Sequence, residues 1–271
     1  MGIHLHTGHF FGSSSRRYSG ANVTLSELRY GAVRKLPRHS HESAYVSLLM
    51  RGHYRDCLAG SMVEYVPFQA GFRPAHTEHT DEIGDGDNLF FNVEMQAAFF
   101  DRLLQDGAVP RVPPMLCAPR SAMFACQLYH SFLRPDFSEL SAECVAAEMV
   151  ADLAGIAGVG ERASPRWLSR TIDCLHASFG TPLTLLGVAA QAEVHPVHLS
   201  RVFRSRFRIT LGEYVNLLRV QSACRGLAAA SDSLCDIAAN CGFADQSHFS
   251  RVFKAAIGLT PSRFRQLHFI G

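Results

Sequence analysis

Tryptophan occurs once in this sequence, and 26 lysines and arginines barely outnumber 24 aspartates and glutamates. Long apolar runs are missing, and Glu148 and Asp152 break the best of the stretches, so no transmembrane helix and no membrane partner are expected. The opening MGIHLHTGHFFGSSSRR has no apolar segment ahead of a cleavage site, so a signal peptide is not expected either, and the chain reads as cytoplasmic. None of the eight cysteines stands in a C-x-x-C pattern, which argues against a zinc ribbon or a redox dithiol and leaves small buried hydrophobes. No Gly-rich phosphate loop or nucleophile elbow is present. Hence no catalytic residue is assigned, and the chain is not read as an enzyme. What is there is a core: 47% of the 271 residues are hydrophobic, which excludes a disordered chain.

The near-neutral charge hides an asymmetry. From Pro165 to Gly271 twelve Lys and Arg face six Asp and Glu, and the remainder is net acidic. A basic end on an acidic body suggests that this end meets a polyanion. Residues 21 to 95 hold short segments rich in β-branched and aromatic residues, ANVTLSELRYG, SAYVSLLMRGHYRD, SMVEYVPFQAGFRPA and DNLFFNVEM, parted by Gly, Pro or Asp clusters. They predict a small barrel or sandwich. The first twenty residues read as a partly disordered tail. His4, His6 and His9 there could hold stray metal, although a solvated tail is the plainer reading. From about Met95 the pattern is helical. Ala142, Val145, Ala146, Met149, Val150, Leu153, Ile156 and Ala157 make one apolar stripe, either packed on its own barrel or pairing two chains as a homodimer. The Gly- and Ser-rich segment 155–166 marks a boundary. Three regions follow: 1–95 as a sensor domain, 96–164 as a helical linker and dimerisation region, and 165–271 as an all-α basic domain.

The basic domain repeats itself. HLSRVFR at 198–204 returns as HFSRVFK at 248–254, displaced by fifty. Upstream, Val188-Ala189-Ala190 returns as Ile237-Ala238-Ala239, displaced by forty-nine, so the second copy has one extra residue in its turn. Thr184 and Ser233 occupy matching N-cap positions. Each copy reads as helix, turn, helix. Leu199, Val202 and Phe203 share the apolar face in one copy, and Phe249, Val252 and Phe253 in the other. The opposite faces carry Val197, Ser200, Arg201 and Arg204, then Ser247, Ser250, Arg251 and Lys254. Arginine can donate two bonds to guanine, and short polar side chains reach other base edges, so such a face suits a major groove. Residues 211 to 230 read as one connecting helix about 30 Å long. That is close to the roughly 34 Å between successive groove faces, and an asymmetric site of about twenty base pairs is expected.

Here the sequence resembles the AraC/XylS family of transcription regulators. The resemblance is carried by residues 236 to 265, through Ile237-Ala238, Gly242-Phe243, Ser247, Phe249, Arg251, Phe253-Lys254, Gly258, Thr260-Pro261 and Phe264-Arg265. It implies two helix-turn-helix units reading double-stranded DNA. Val197, Ser200 and Arg201 would stand at base edges in one unit, and Gln246, Ser247 and Arg251 in the other. His198, Arg204, His248 and Lys254 would be nearby groove or phosphate contacts. The family leans toward activators that also touch RNA polymerase. One departure is Glu193, where the family has glycine or another small residue; it adds negative charge and strains the turn.

Residues 37 to 52, PRHSHESAYVSLLMRG, resemble the first motif of cupin barrels, and FRPAHTEHTDE resembles the second through Pro74 and His79. The fold class implied is a cupin-like N-terminal β-barrel, a helical linker region, and a C-terminal tandem helix-turn-helix. His39 and His41 share a strand face, with Tyr45 and Ser47 at the same parity. The expected cupin glutamate is absent, Glu42 points away, and His76 stands where the motif has glycine. His39, His41 and His79 are read three ways. They could hold a divalent metal cofactor, line an effector pocket with Tyr45, or support the barrel mouth. Arg51, Tyr54 and Asn92 are lesser pocket candidates. The leading function is an effector-responsive DNA-binding regulator. The alternatives are a metal-dependent cupin enzyme fused to a DNA-binding domain, and a constitutive DNA binder whose barrel only dimerises.

Overall fold

The computed structural model describes residues 2–31, 34–58, 61–105, 115–157, 165–229 and 232–268. The chain divides into two compact units, Met1–Ala154 and Gly155–Gly271. The expected boundary segment lies outside the described residues over 158–164.

The first unit opens with β1 (Ile3–Leu5), β2 (Ser13–Ser19), β3 (Val23–Tyr30), β4 (Arg34–Lys35), β5 (His39–His41) and β6 (Ala44–Arg51). It continues with β7 (Tyr54–Leu58), β8 (Ser61–Tyr65), β9 (Ala70–Arg73), β10 (Thr80–Ile83) and β11 (Asn88–Met95). Then come α1 (Ala97–Gln105), a short β12 (Met115–Leu116), α2 (Pro119–Phe132) and α3 (Glu139–Ala157). A six-stranded sheet runs β12-β9-β6-β11-β3-β2, and a four-stranded one runs β4-β10-β7-β8. Strand β11 is central to the larger sheet, and all eight of its residues are buried. Successive strand residues point to opposite faces. Phe91 meets Tyr129 and Phe132 of α2 at 5.2 and 5.7 Å, while Phe90 meets Tyr54 of the smaller sheet at 5.2 Å. Helices therefore cover one face of the large sheet, and the small sheet covers the other.

Two expectations are corrected. The barrel is not closed: among the described residues it is two facing sheets with free edges at β2 and β12, and at β4 and β8. Strand β2 is exposed along almost its whole length, and Arg16 and Arg17 charge that edge against further pairing. The first twenty residues, read as a partly disordered tail, contain two strands. Strand β2 pairs antiparallel with β3, and β1 pairs parallel with β5. Both are held through backbone hydrogen bonds, which need no apolar alternation in the sequence.

The stripe on α3 is spent inside the unit: Ala142, Ala146, Met149, Val150 and Leu153 are buried. Ser121 on α2 donates to Asp152 on α3 at 2.5 Å, and Asn22 donates to Glu143 at 2.7 Å. The side chains of Ile156 and Ala157 lie outside the described set. No helix among the described residues is long and apolar enough to cross a membrane.

The second unit is helical: α4 (Arg166–Ser178), α5 (Leu185–Gln191), α6 (Pro196–Phe207), α7 (Leu211–Ala229), α8 (Leu234–Asn240), α9 (Gln246–Ile257) and α10 (Pro261–His268). The repeat is real in three dimensions. Residues 201–210 and 251–260 have the same order of buried, half-buried and exposed positions. Thr184 and Ser233 cap α5 and α8 as expected, each accepting a backbone N–H at 3.1 Å. The extra residue falls in the second turn, between α8 and α9.

The copies are not capped equally. Asp245 accepts from the His248 N–H at 2.7 Å, whereas His195 accepts from Val197 at 3.3 Å. Glycine serves the left-handed positions of the second copy, Gly242 at φ 81° and Gly258 at 82°. In the first copy Glu193 and Arg208 occupy the same region at 56° and 58°. Left-handed backbone costs an L-residue about 1–2 kcal/mol. At Gly242 space is also lacking, because an added Cβ would lie 2.6 Å from the Gly180 carbonyl oxygen. Glu193→Gly is therefore expected to stabilise the second unit by about 0.5–1 kcal/mol, and Gly242→Ala to destabilise it. Denaturant titration of the full chain followed by Trp167 fluorescence reports this unit, since Trp167 packs against its core and is the sole tryptophan.

Candidate nucleic-acid interface and buried histidine site

Helices α6 and α9 present the expected faces. Phe203, Phe249 and Phe253 have no exposed surface, nor does Leu199. Arg201, Arg204, Ser200, Gln246, Ser247, Arg251 and Lys254 are exposed, and Val197 is 64% exposed. No described carboxylate forms an ion pair with Arg201, Arg204, Arg251 or Lys254, so the four charges are free to meet phosphates or base edges. His198 is exposed, with its ring 5.5 Å from that of Trp167. His248 sits differently. It is half-buried against Phe243 at 5.6 Å, and its Nδ1 is buried without a partner. Glu193 does not stand alone: Arg170 pairs with it at 3.4 Å.

In the first unit, His39, His41 and His79 come together. One nitrogen from each lies within 4.8 Å of the others, and all three residues are buried. The elements that hold them are backbone pairs. His39 and His79 exchange N–H···O bonds of 3.0 and 2.9 Å, and β1 lies in register with His39 and His41. The Nδ1 of His39 is 2.8 Å from the Pro37 carbonyl, and that of His79 is 3.0 Å from the Thr77 carbonyl. A carbonyl only accepts, so both Nδ1 atoms carry the proton and both Nε2 atoms turn a lone pair inward. The Asp81 carboxylate stands 3.5 Å from one Nε2 and 3.7 Å from the other. Tyr54 donates to Asp81 at 2.7 Å, and Tyr45 donates to His79 Nε2 at 3.3 Å. Two lone pairs and a carboxylate oxygen thus converge in an almost dry interior, an arrangement that calls for positive charge between them. Burial and the neighbouring imidazoles pull the proton affinity of His41 down, to a pKa of about 2, and burial lowers that of His79.

Asp81 supplies a carboxylate beside the histidines that the motif comparison did not find. It was legible in principle, because His79 and Asp81 are two apart on an extended segment and share a face. Ser47 and Asn92 join the lining, with Ser47 donating to Asn92 at 2.6 Å, while Arg51 pairs with Asp87 at 3.1 Å. Glu42 accepts the Thr7 N–H at 3.1 Å outside the lining. His76, the residue at the motif's glycine, has φ 60°, a backbone that explains why glycine suits the place.

Aromatic rings that no motif pointed to fill the rest. Phe10 packs on His41 at 4.7 Å and Phe11 on His39 at 5.0 Å. The remaining void is about 20 Å³. That is room for a single water or ion, against the several hundred Å³ of an organic-ligand pocket. The segment carrying Phe10 and Phe11 is pinned by Glu94, which accepts the Gly8 N–H with both oxygens at 3.0 and 2.9 Å. Arg17 donates to the Gly8 carbonyl.

Residues 188–267 match the family described as Helix-turn-helix domain. The chain is 34% identical over 101 residues to the "Bifunctional transcriptional activator/DNA repair enzyme AdaA" of Bacillus subtilis (strain 168), covering 37% of this chain and 48% of that protein. It is 41% identical over 69 residues to the "Probable transcription factor PqrA" of Proteus vulgaris, covering 26% of this chain and 57% of that one. Among solved structures, the C-terminal domain of AraT, a response regulator from Geobacillus stearothermophilus, is 28% identical with a TM-score of 0.38. That match covers 40% of this chain and 89% of the domain. The chain spans about half the length of these two curated relatives.

Burial raises the Glu94 carboxyl to a pKa of about 7 from its ordinary 4.5, against the lowering effect of the Gly8 N–H. The folded unit therefore favours the protonated form. Its stability declines as pH rises from about 4.5 to 7 and then levels off. Glu94→Gln should flatten this part of the profile. Calorimetric melting of both proteins between pH 5 and 8 tests it, and parallel profiles would contradict it.

Proposed function

We propose, on the premise that the C-terminal unit is a helix-turn-helix domain of the AraC type, that the protein is a sequence-specific DNA-binding transcription regulator governed by ligand binding in its first unit. The single observation that carries this reading is the duplicated recognition helix. Two buried phenylalanine pins leave two matching polar and cationic faces exposed. In this reading α6 contacts base edges through Val197, Ser200 and Arg201, and α9 through Gln246, Ser247 and Arg251. Arg204 and Lys254 hold phosphates. By resemblance the regulator is an activator that also touches RNA polymerase. A ligand in the first unit switches it only by binding the DNA-competent and DNA-incompetent states with different affinity.

The histidine site is the place for that ligand. Its donor set, three imidazoles with Asp81, suits a divalent metal such as zinc, iron, manganese or nickel. The Nδ1–H bonds of His39 and His79 to backbone carbonyls orient ring nitrogens as metal sites require. A bound ion would neutralise the facing lone pairs and carboxylate. An organic effector at the same residues would first have to displace Phe10 and Phe11, because the void is about 20 Å³.

Arg251→Ala should cost about 1–3 kcal/mol on a selected operator and relax preference at one base position. Equal loss on random DNA would contradict the base-edge role. Arg204→Ala should weaken binding to all sequences and reduce the salt slope by about one; an unchanged slope would count against a phosphate contact. Tag-free protein dialysed against zinc or cobalt(II) should retain about one ion per chain, with a cobalt absorption band that His39→Ala/His41→Ala/His79→Ala loses and Asp81→Ala alters. No retained ion in the native chain would retire the metal site.

A further inference from the structure

The second unit contains a backbone contact that joins one helix-turn-helix copy to the other. The loop at residues 179–181 follows α4 and belongs to the first copy. The linker helix α7 reaches it through Arg219, whose Nε donates to the Phe179 carbonyl at 2.8 Å and whose Nη2 donates to the Thr181 carbonyl at 3.3 Å. From the other side comes the turn of the second copy. Gly242 approaches Gly180 so closely that a Cβ on Gly242 would lie 2.6, 2.8 and 2.9 Å from the O, C and Cα of Gly180. Cys241, beside it, is hydrogen-bonded by Ser222 of α7 and lies in the field of Arg219. Backbone of the first copy thus meets backbone of the second, and one half-buried guanidinium fastens the joint with two charge-assisted bonds.

The connecting helix α7 packs on α6 of the first copy and on α8, α9 and α10 of the second, which fixes the distance between the copies and leaves twist and bend about it as the softer motions. A second point of attachment, off the helix axis, removes that freedom. We infer that the loop at residues 179–181, held by Arg219 and seated on the Gly242 turn, is a strut that sets the spacing and relative angle of α6 and α9. Arg219 and Gly242 are then positioning residues that determine which separation of half-sites the protein accepts, without touching DNA. The consequence for DNA rests on the tandem-reading proposal above; the strut itself does not.

The test therefore has one arm with DNA and one without. In the free protein, spin labels on genetically encoded residues at positions 197 and 246, both exposed, report the distance between the two recognition helices. The native chain gives a narrow distribution. Arg219→Ala broadens it, and Arg219→Lys, which can restore a single bond but not the fork, falls between. Melting followed by Trp167 fluorescence verifies that each variant is folded. An unchanged distribution in folded Arg219→Ala overturns the strut whatever the protein does with DNA. In the second arm an operator selected from random DNA is lengthened by one base pair between its half-sites. That insertion turns one half-site by roughly 35°. The native protein loses about tenfold or more in affinity, the worth of a lost base contact. Arg219→Ala loses about threefold or less on the same insertion, while binding an isolated half-site as the native chain does. A full insertion penalty in Arg219→Ala overturns the specificity role. If the native chain selects no sequence at all, the tandem-reading proposal fails, and the label distances still decide the strut.

Discussion

The rings of Phe203 and Phe253 have no exposed surface, one in α6 and one in α9, and each fixes the rotation of its helix about its own axis. A helix on a small domain can roll, and a roll of one residue step would carry its exposed face away from any surface it reads. The phenylalanine opposes this, because its burial is worth about 1.5–3 kcal/mol and the residue after it, Arg204 or Lys254, is charged. Phe203 sits 5.3 Å from Tyr214 of α7, and Phe253 sits 5.3 Å from Phe264 of α10. The pins are thus anchored in elements outside the helix pair they orient. Arg201, Arg204, Arg251 and Lys254 face outward as a consequence, while Arg206 of α6 is half-buried.

The first unit is governed by the opposite kind of constraint. Within its otherwise apolar interior, the histidine site gathers imidazoles, a carboxylate and two tyrosine hydroxyls, and such groups are tolerated out of water only when each finds a partner. Backbone carbonyls of Pro37 and Thr77 satisfy one side of two rings. The other sides face one another and Asp81. Phe10 and Phe11 keep bulk water away, which raises the electrostatic stakes of whatever neutralises the site.

The sequence was most readable where one physical period repeats. The two helix-turn-helix copies announced themselves by identical apolar spacing, and their N-caps, Thr184 and Ser233, by their position before a helical pattern. In the first unit β3 and β11 were legible because their segments are rich in β-branched and aromatic residues and are parted by Gly, Pro or Asp clusters. Strands β1 and β2 were not, since IHL and SSSRRYS carry no alternation and are held by backbone bonds and single side-chain contacts from elsewhere in the unit. Asp81 escaped for a different reason. Its role depends on His39 lying across from His79, a pairing between residues forty positions apart that no local pattern encodes. The open edges of the two sheets are likewise a property of tertiary pairing, and the motif resemblance could only suggest a barrel.

The unequal finish of the two copies has a dynamic consequence. Where the second has Gly242, Asp245 and Gly258, the first has Glu193, His195 and Arg208, each a poorer choice for its backbone position. Three small penalties at the ends of the same helices add up to a lower free energy of local opening. Within one cooperative-looking domain this makes two foldons of similar shape and different protection, the first exchanging its backbone amides sooner than the second. Duplication has thus produced one copy that is held taut and one with slack, so an encounter with an imperfect surface would be accommodated at α6 before α9 yields.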